Sequence, residues 1–159
     1  MPQGDVILKK VESMRVAGRR IRIPVNEGVI LEDLSSGFRE VGDYVEAQKA
    51  GSDNPCIAVW FTPYNQYTDE EVEAVVPIAR GLAGTDRITV HDLEGGEVAS
   101  IMHQGDFRRF QDSMKVIVSW IERNAYTISG PYREVYHKFD HSDMDHVMVE
   151  IQFPVTKNK

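Results

Sequence analysis

Three segments of the first half of the chain return in the second half, in the same order and at almost the same spacing. VESMRVAG from Val11 matches LEGGEVAS from Leu93, an offset of 82. PCIAVWF from Pro55 matches PYREVYH from Pro131, an offset of 76, and EAVVPI from Glu73 matches EIQFPV from Glu150, an offset of 77. Each match is weak alone, but the common order and near-constant offset predict a duplicated unit. A chain of 159 residues has room for one domain, or for two small repeats sharing a core.

The predicted elements fit two copies of one order. Val6 to Val11 and Met14 to Ile23 read as strands, the second rich in β-branched residues and closed by Pro24. Leu31 to Ala50 carries Leu34, Phe38, Val41 and Val45 at helical steps, with Gly51 as a stop. Gly37 and Gly42 each cost this helix about 1 kcal/mol, so tertiary packing must support it. Cys56 to Thr62 and Glu71 to Ile78 read as strands. Asp86 to Leu93 and Glu97 to His103 follow, joined across Gly95-Gly96 as a hairpin or a bulged pair. A second helix from Asp106 to about Ala125 carries Phe107, Phe110, Met114, Ile117, Val118 and Ile121. Tyr132 to Lys138 and Val147 to Val155 close the chain. The expected fold is α+β, a single domain over 1–159 made of two β-α-β-β repeats, about 5–80 and 86–156. The repeats would pair about a pseudo-twofold axis, with helices on one side and an antiparallel sheet surface forming a central cleft on the other.

Within the second copy, GPYREVYHKFD sets a carboxylate between two aromatic rings. Strand side chains alternate, so Tyr132, Glu134 and Tyr136 share one face, and Arg133, Val135 and His137 the other. The offset of 76 places Cys56, Ala58 and Trp60 at the equivalent positions. Val59 and Val135 are the expected floor beneath the helices, which turns Trp60, Tyr132, Glu134 and Tyr136 toward the space between the repeats. A carboxylate among rings is costly to bury unless it is hydrogen-bonded or paired with a cation. A ligand cation over the rings meets that need, although a solvent-facing sheet would carry the same residues at no cost. In a cavity, Glu134 serves as a counter-ion, or as a general base if desolvation raises its pKa.

Composition narrows the partners. A net charge of −7 disfavours direct nucleic-acid binding, which relies on Lys and Arg neutralising phosphates, and suits cationic small molecules. The single cysteine, Cys56, excludes an intrachain disulfide and fits a reducing cytoplasm. No run of about 18 apolar residues predicts a membrane span, and the first residues lack the regions of a signal peptide. Tyr64 and Tyr67 in WFTPYNQY extend the aromatic set near Trp60, whereas Trp120, Met14 and Met102 fit ordinary packing. HKFDHSDMDH, residues 137–146, has zinc-type ligands but no Cys and neither the central Gly nor the final Glu of a calcium loop. It predicts no metal, and no cofactor is implied elsewhere. Gly81 and Gly84 lack the Gly-Lys-Ser/Thr of a phosphate loop, and no serine sits in a Gly-x-Ser-x-Gly turn.

HQGDFRRF, then WIERNAYTISGPYREVYHKFD, then VMVEIQFPV, resembles the effector-binding or GyrI-like domain, and ILKKVESMRVAGRRIRI looks like that family's opening strands. The resemblance spans nearly the whole chain. It implies a duplicated, SHS2-like fold that binds amphipathic, often cationic, small molecules, as in the multidrug-binding effector domains of AraC- and MerR-type transcription regulators. It implies that Glu134 is the pocket glutamate with Tyr136 beside it, and that Glu150 is the acidic residue of the last strand. In regulators such a domain follows a helix-turn-helix, whereas here strand pattern begins within about six residues of Met1. Operator binding would therefore belong to a separate DNA-binding domain. Two alternatives stay open. Some stand-alone relatives hydrolyse cyclopropane-containing molecules with a pocket glutamate, and others bind a protein partner such as gyrase.

Overall fold

The structure, a computed structural model, describes residues 5–24, 30–63 and 69–159. In chain order the elements are β1 (Ile7–Val11), β2 (Met14–Ile23), α1 (Ile30–Ala47), β3 (Ile57–Trp60), β4 (Glu70–Pro77), β5 (Thr89–Leu93), β6 (Gly96–Gly105), α2 (Phe110–Arg123), β7 (Tyr126–Ile128), β8 (Tyr132–Lys138) and β9 (Val147–Lys157). A 3-10 turn over Phe107–Arg109 leads into α2, with the Arg108 N–H capped by the Asp106 carboxylate. The architecture is mixed α+β with antiparallel strand pairing.

The chain divides into two compact units, a first over Ser13–Glu94 and a second made of the residues up to Glu12 with Gly95–Lys159. The first unit orders its strands β3-β4-β2-β5, and the second β8-β9-β6-β1, with β7 beside β9. These are one topology used twice, with an exchange of edges. β1 precedes β2 in the chain but pairs with β6, and β5 precedes β6 but pairs with β2. The expected Gly95-Gly96 hairpin is therefore overturned, since the strands on its two sides take their partners in different units. Gly96, at φ +147°, adopts a conformation that favours glycine.

Strand register reproduces the offsets of the repeat. Val16 lies opposite Pro77 and Val98 opposite Pro154, while Val59 lies opposite Glu73 and Val135 opposite Glu150. The shifts of 82, 76 and 77 follow from these pairs.

In the first unit Ala17, Val41 and Val45 are buried together. Helix α1 comes so close to its sheet that a Cβ on Gly37 would stand 2.4 Å from Ile21 Cδ1 and 3.3 Å from Ala74 Cβ. The glycine that weakens the isolated helix permits this approach. In the second unit Phe110, Met114, Ile117 and Ile121 of α2 pack on Ala99, Ile101, Val149, Ile151 and Phe153. His103 is buried there, its Nδ1 2.6 Å from Ser113 Oγ and its Nε2 2.8 Å from the Asp106 carbonyl. A carbonyl only accepts, so Nε2 carries a hydrogen and Nδ1 faces the serine hydroxyl.

Residues directly opposite in a sheet share a face, and that reverses the expected floor. Glu134 lies opposite Ile151 and Tyr136 opposite Val149, so Tyr132, Glu134 and Tyr136 stand on the α2 side. Val135, opposite Glu150, is on the other face. The first unit agrees, with Ala58 opposite Ala74 and Trp60 opposite Val72 on the α1 side, and Val59 away from it.

Candidate functional site

Glu134 is 7% exposed and sits on the α2 face of the second unit. Tyr136, two residues on and therefore on the same face, donates its phenol to Glu134 Oε1 at 2.6 Å. Tyr132 stacks on Phe153 with centroids 5.0 Å apart, and Tyr136 meets Phe139 edge-on at 5.2 Å. Phe139 in turn meets Phe107 at 5.2 Å and 90°. Glu134 is thus buried on the same face as these packed rings, with the Tyr136 phenol on its carboxylate.

A bulge in β8 contributes to this set of rings. Tyr136 lies opposite Val149 and Lys138 opposite Met148, which leaves His137 as the extra residue. In an unbroken strand Lys138 would share the face of Tyr136 and Phe139 would point away. The extra residue shifts the alternation, and Phe139 joins the α2 side instead.

The opposite face of the second unit carries a second buried carboxylate. Glu150 Oε2 receives Lys9 Nζ at 2.6 Å, Ser100 Oγ at 2.7 Å and Gln152 Nε2 at 2.9 Å, and Oε1 receives His137 Nε2 at 2.9 Å. Burial pushes this carboxyl up, but the four hydrogen bonds, led by Lys9, outweigh it and hold it at about 2. The first unit has a simpler version. Glu73 occupies the position equivalent to Glu150, His91 on the edge strand that of Lys9, and His91 Nε2 lies 2.7 Å from Glu73 Oε2. Gly18 stands where the second unit has Ser100, and a Cβ there would come within 2.1 Å of Glu73 Oε2. Sequence reasoning singled out Glu150 but missed Lys9, Ser100 and His137 around it. The signal was present, since Lys9 and His91 are separated by the same 82 residues as Val16 and Val98.

Of the predicted site residues, Glu134, Tyr136 and Tyr132 come together on one face. Trp60, 7% exposed, lies on the α1 face of the first unit. Tyr64 and Tyr67 lie outside the described residues. Trp120 stacks on Tyr126 at 5.9 Å, and Met102 lies opposite Glu150. In the 137–146 loop, Asp140 accepts from the Ser142 N–H and hydroxyl, and His146 pairs with Asp143 at 2.7 Å. Among the described residues no group of three or more His, Cys, Asp or Glu side chains is arranged to hold a metal ion. No helix among them is long and apolar enough to cross a membrane. Burial raises the Cys56 thiol above its ordinary value, which makes it a poor nucleophile.

Comparison with solved structures places this fold among domains of related architecture. The EcmrR C-terminal domain matches with a TM-score of 0.80 at 19% identity, covering 96% of this chain and 98% of that one. In an EcmrR–DNA complex the match covers 99% of this chain but 59% of the EcmrR chain, with a TM-score of 0.82 at 19% identity. A hydrolase encoded by lin2189 from Listeria innocua matches with a TM-score of 0.68 at 10% identity, covering 95% and 91%. SAV2435 bound to tetraphenylphosphonium matches with a TM-score of 0.64 at 18% identity, covering 96% and 94%. At these identities the likeness is one of fold. No curated protein sequence matches the chain. The family comparison is decisive: residues 4–156 match the GyrI-like small molecule binding domain, and the chain belongs to that family.

Proposed function

We infer that the protein binds amphipathic organic cations, with Glu134 as their counter-charge and Tyr132 and Tyr136 as stacking surface. One observation carries this reading: a carboxylate only 7% exposed shares its strand face with Tyr132 and Tyr136 and accepts the Tyr136 phenol at 2.6 Å. A buried carboxylate attracts a cation far more strongly than an exposed one, and ring faces add cation–π attraction. The likeness to SAV2435, a protein solved with tetraphenylphosphonium, supports the ligand class. The likeness to the EcmrR C-terminal domain supports a sensing role within a transcription regulator, in which a separate DNA-binding domain reads the operator.

Isothermal titration with tetraphenylphosphonium tests the reading. Saturable binding is expected, and Glu134→Gln should weaken it about tenfold, the equivalent of ~1.4 kcal/mol. Absence of binding, or equal affinity in the variant, refutes it.

The Glu134–Tyr136 pair also favours a second reading. A carboxylate held by a phenol can orient water for attack on a strained electrophile, and one structural neighbour is described as a hydrolase. Turnover of a cyclopropane-bearing electrophile, lost in Glu134→Gln, is the result that would favour the enzyme.

A further inference from the structure

Tyr136 and His137 are consecutive residues whose side chains leave opposite faces of β8. The Tyr136 phenol holds Glu134 at 2.6 Å on the α2 side. The His137 ring holds Glu150 at 2.9 Å on the other. His137 is also the extra residue of the bulge, and the bulge brings Phe139 beside Tyr136. Two buried carboxylates are thus joined through one dipeptide at the one irregular point of β8.

We propose that His137 is a positioning residue for the ligand site: its bond to Glu150 fixes the bulge, and the fixed bulge aims the Tyr136 phenol at Glu134. Glu150 is a firm anchor for this purpose. Its other oxygen is tied by Lys9 on β1, Ser100 on β6 and Gln152 on β9, so His137 attaches β8 to three neighbouring strands at once. Without that attachment, the extra residue of β8 has less to fix its backbone angles. The Tyr136 ring then loses its set direction, and the Tyr136–Glu134 hydrogen bond is weakened. Bulges commonly serve to re-aim a side chain at a site, and groups behind a binding residue commonly set its geometry. The proposal deepens the reading of Glu134 as counter-charge and, for its effect on binding, rests on it.

The first test needs no ligand. With tyrosine labelled by 13C at Cζ, the Tyr136 resonance is identified by its loss in Tyr136→Phe and followed by NMR. His137→Ala should shift it, and His137→Gln, which keeps a donor, should return it toward its wild-type position. Lys9→Met, which leaves the His137 contact and two of the three ties on Glu150 Oε2 in place, should move it clearly less than His137→Ala. Glu150→Ala, approaching the same contact from the other side, should reproduce the His137→Ala shift. An unmoved resonance in His137→Ala, or an equal movement in Lys9→Met, overturns the proposal.

The second test titrates tetraphenylphosphonium. His137→Ala should weaken binding about fivefold, the scale of one hydrogen bond of ~1 kcal/mol. In a Tyr136→Phe background the same change should have no further effect, since its route is already cut. Equal losses in both backgrounds overturn the proposal. If the wild-type protein does not bind this cation, the proposed function fails, and the tyrosine resonance still decides the role of His137.

Discussion

Replacement of Glu150 by Gln should make folding stability less sensitive to acid. The carboxyl falls from an ordinary 4.5 to about 2 in the folded protein because Lys9, Gln152, Ser100 and His137 donate to it, against the opposing effect of burial. At ~1.4 kcal/mol per pH unit, that fall is worth about 3 kcal/mol of folding free energy at neutral pH. Its sign follows from the direction of the change. A carboxyl lowered in the folded state stabilises above its unfolded value, and this contribution is lost as pH falls through the folded value. The window therefore runs from about 4.5 down to about 2. Glu150→Gln keeps the shape but removes the charge, and its amide N–H group meets donors rather than acceptors. Urea unfolding of wild type and variant at pH 6 and pH 3 measures the gap between them. The gap should be about 3 kcal/mol at pH 6 and should shrink by about 2 kcal/mol at pH 3. A gap of the same size at both pH values would refute the argument, because the variant would then act through packing and not through the charge.

Two further outcomes follow from local geometry. Ser113→Ala removes the hydroxyl that faces His103 Nδ1 at 2.6 Å in a site closed to water. It should cost about 1–3 kcal/mol in urea melts, the cost of leaving a buried polar group unsatisfied. Ala125 follows the C-cap of α2 at φ +61°, in the left-handed region that a Cβ disfavours. Ala125→Gly should relieve that strain and raise stability by about 0.5 kcal/mol, net of the extra freedom gained by the unfolded chain. Thermal denaturation gives the sign directly.

The repeat was legible because register follows sequence. Pro77 and Pro154 sit at matched places on β4 and β9, and their different offsets from the flanking strands are the small differences in loop length between the copies. The bounds of β2 and β8 were also readable from β-branched and aromatic content closed by turn residues. The face of β8 was not. Alternation shows that Tyr132, Glu134 and Tyr136 go together, but an apolar Val135 points to the helix side only if the other face is wet. Here that other face is buried as well, with Val98, Ser100, Glu150 and Gln152 all nearly inaccessible, so apolarity could not tell the two sides apart. The bulge at His137 had no glycine to announce it. The exchange of β1 and β5 was hidden for a different reason. Local pattern favours pairing with the next strand in the chain, and Gly95-Gly96 looks like a hairpin turn, whereas the partners in fact lie far apart in sequence.

That exchange also sets a timetable for biosynthesis. β1 is made before the first unit, but the strand it pairs with, β6, ends at Gly105, after the whole of that unit has been translated. At ~5–20 residues per second, the segment Ile7–Val11 waits on the order of 5–20 s for its partner. Ile7 is still half exposed in the finished fold and Leu8 more than a third exposed, so until β6 emerges the growing chain carries an unpaired, partly apolar strand ahead of the first unit. A swapped edge thus lengthens the time a strand spends unpaired, the state in which nascent chains are most open to aggregation and to chaperones.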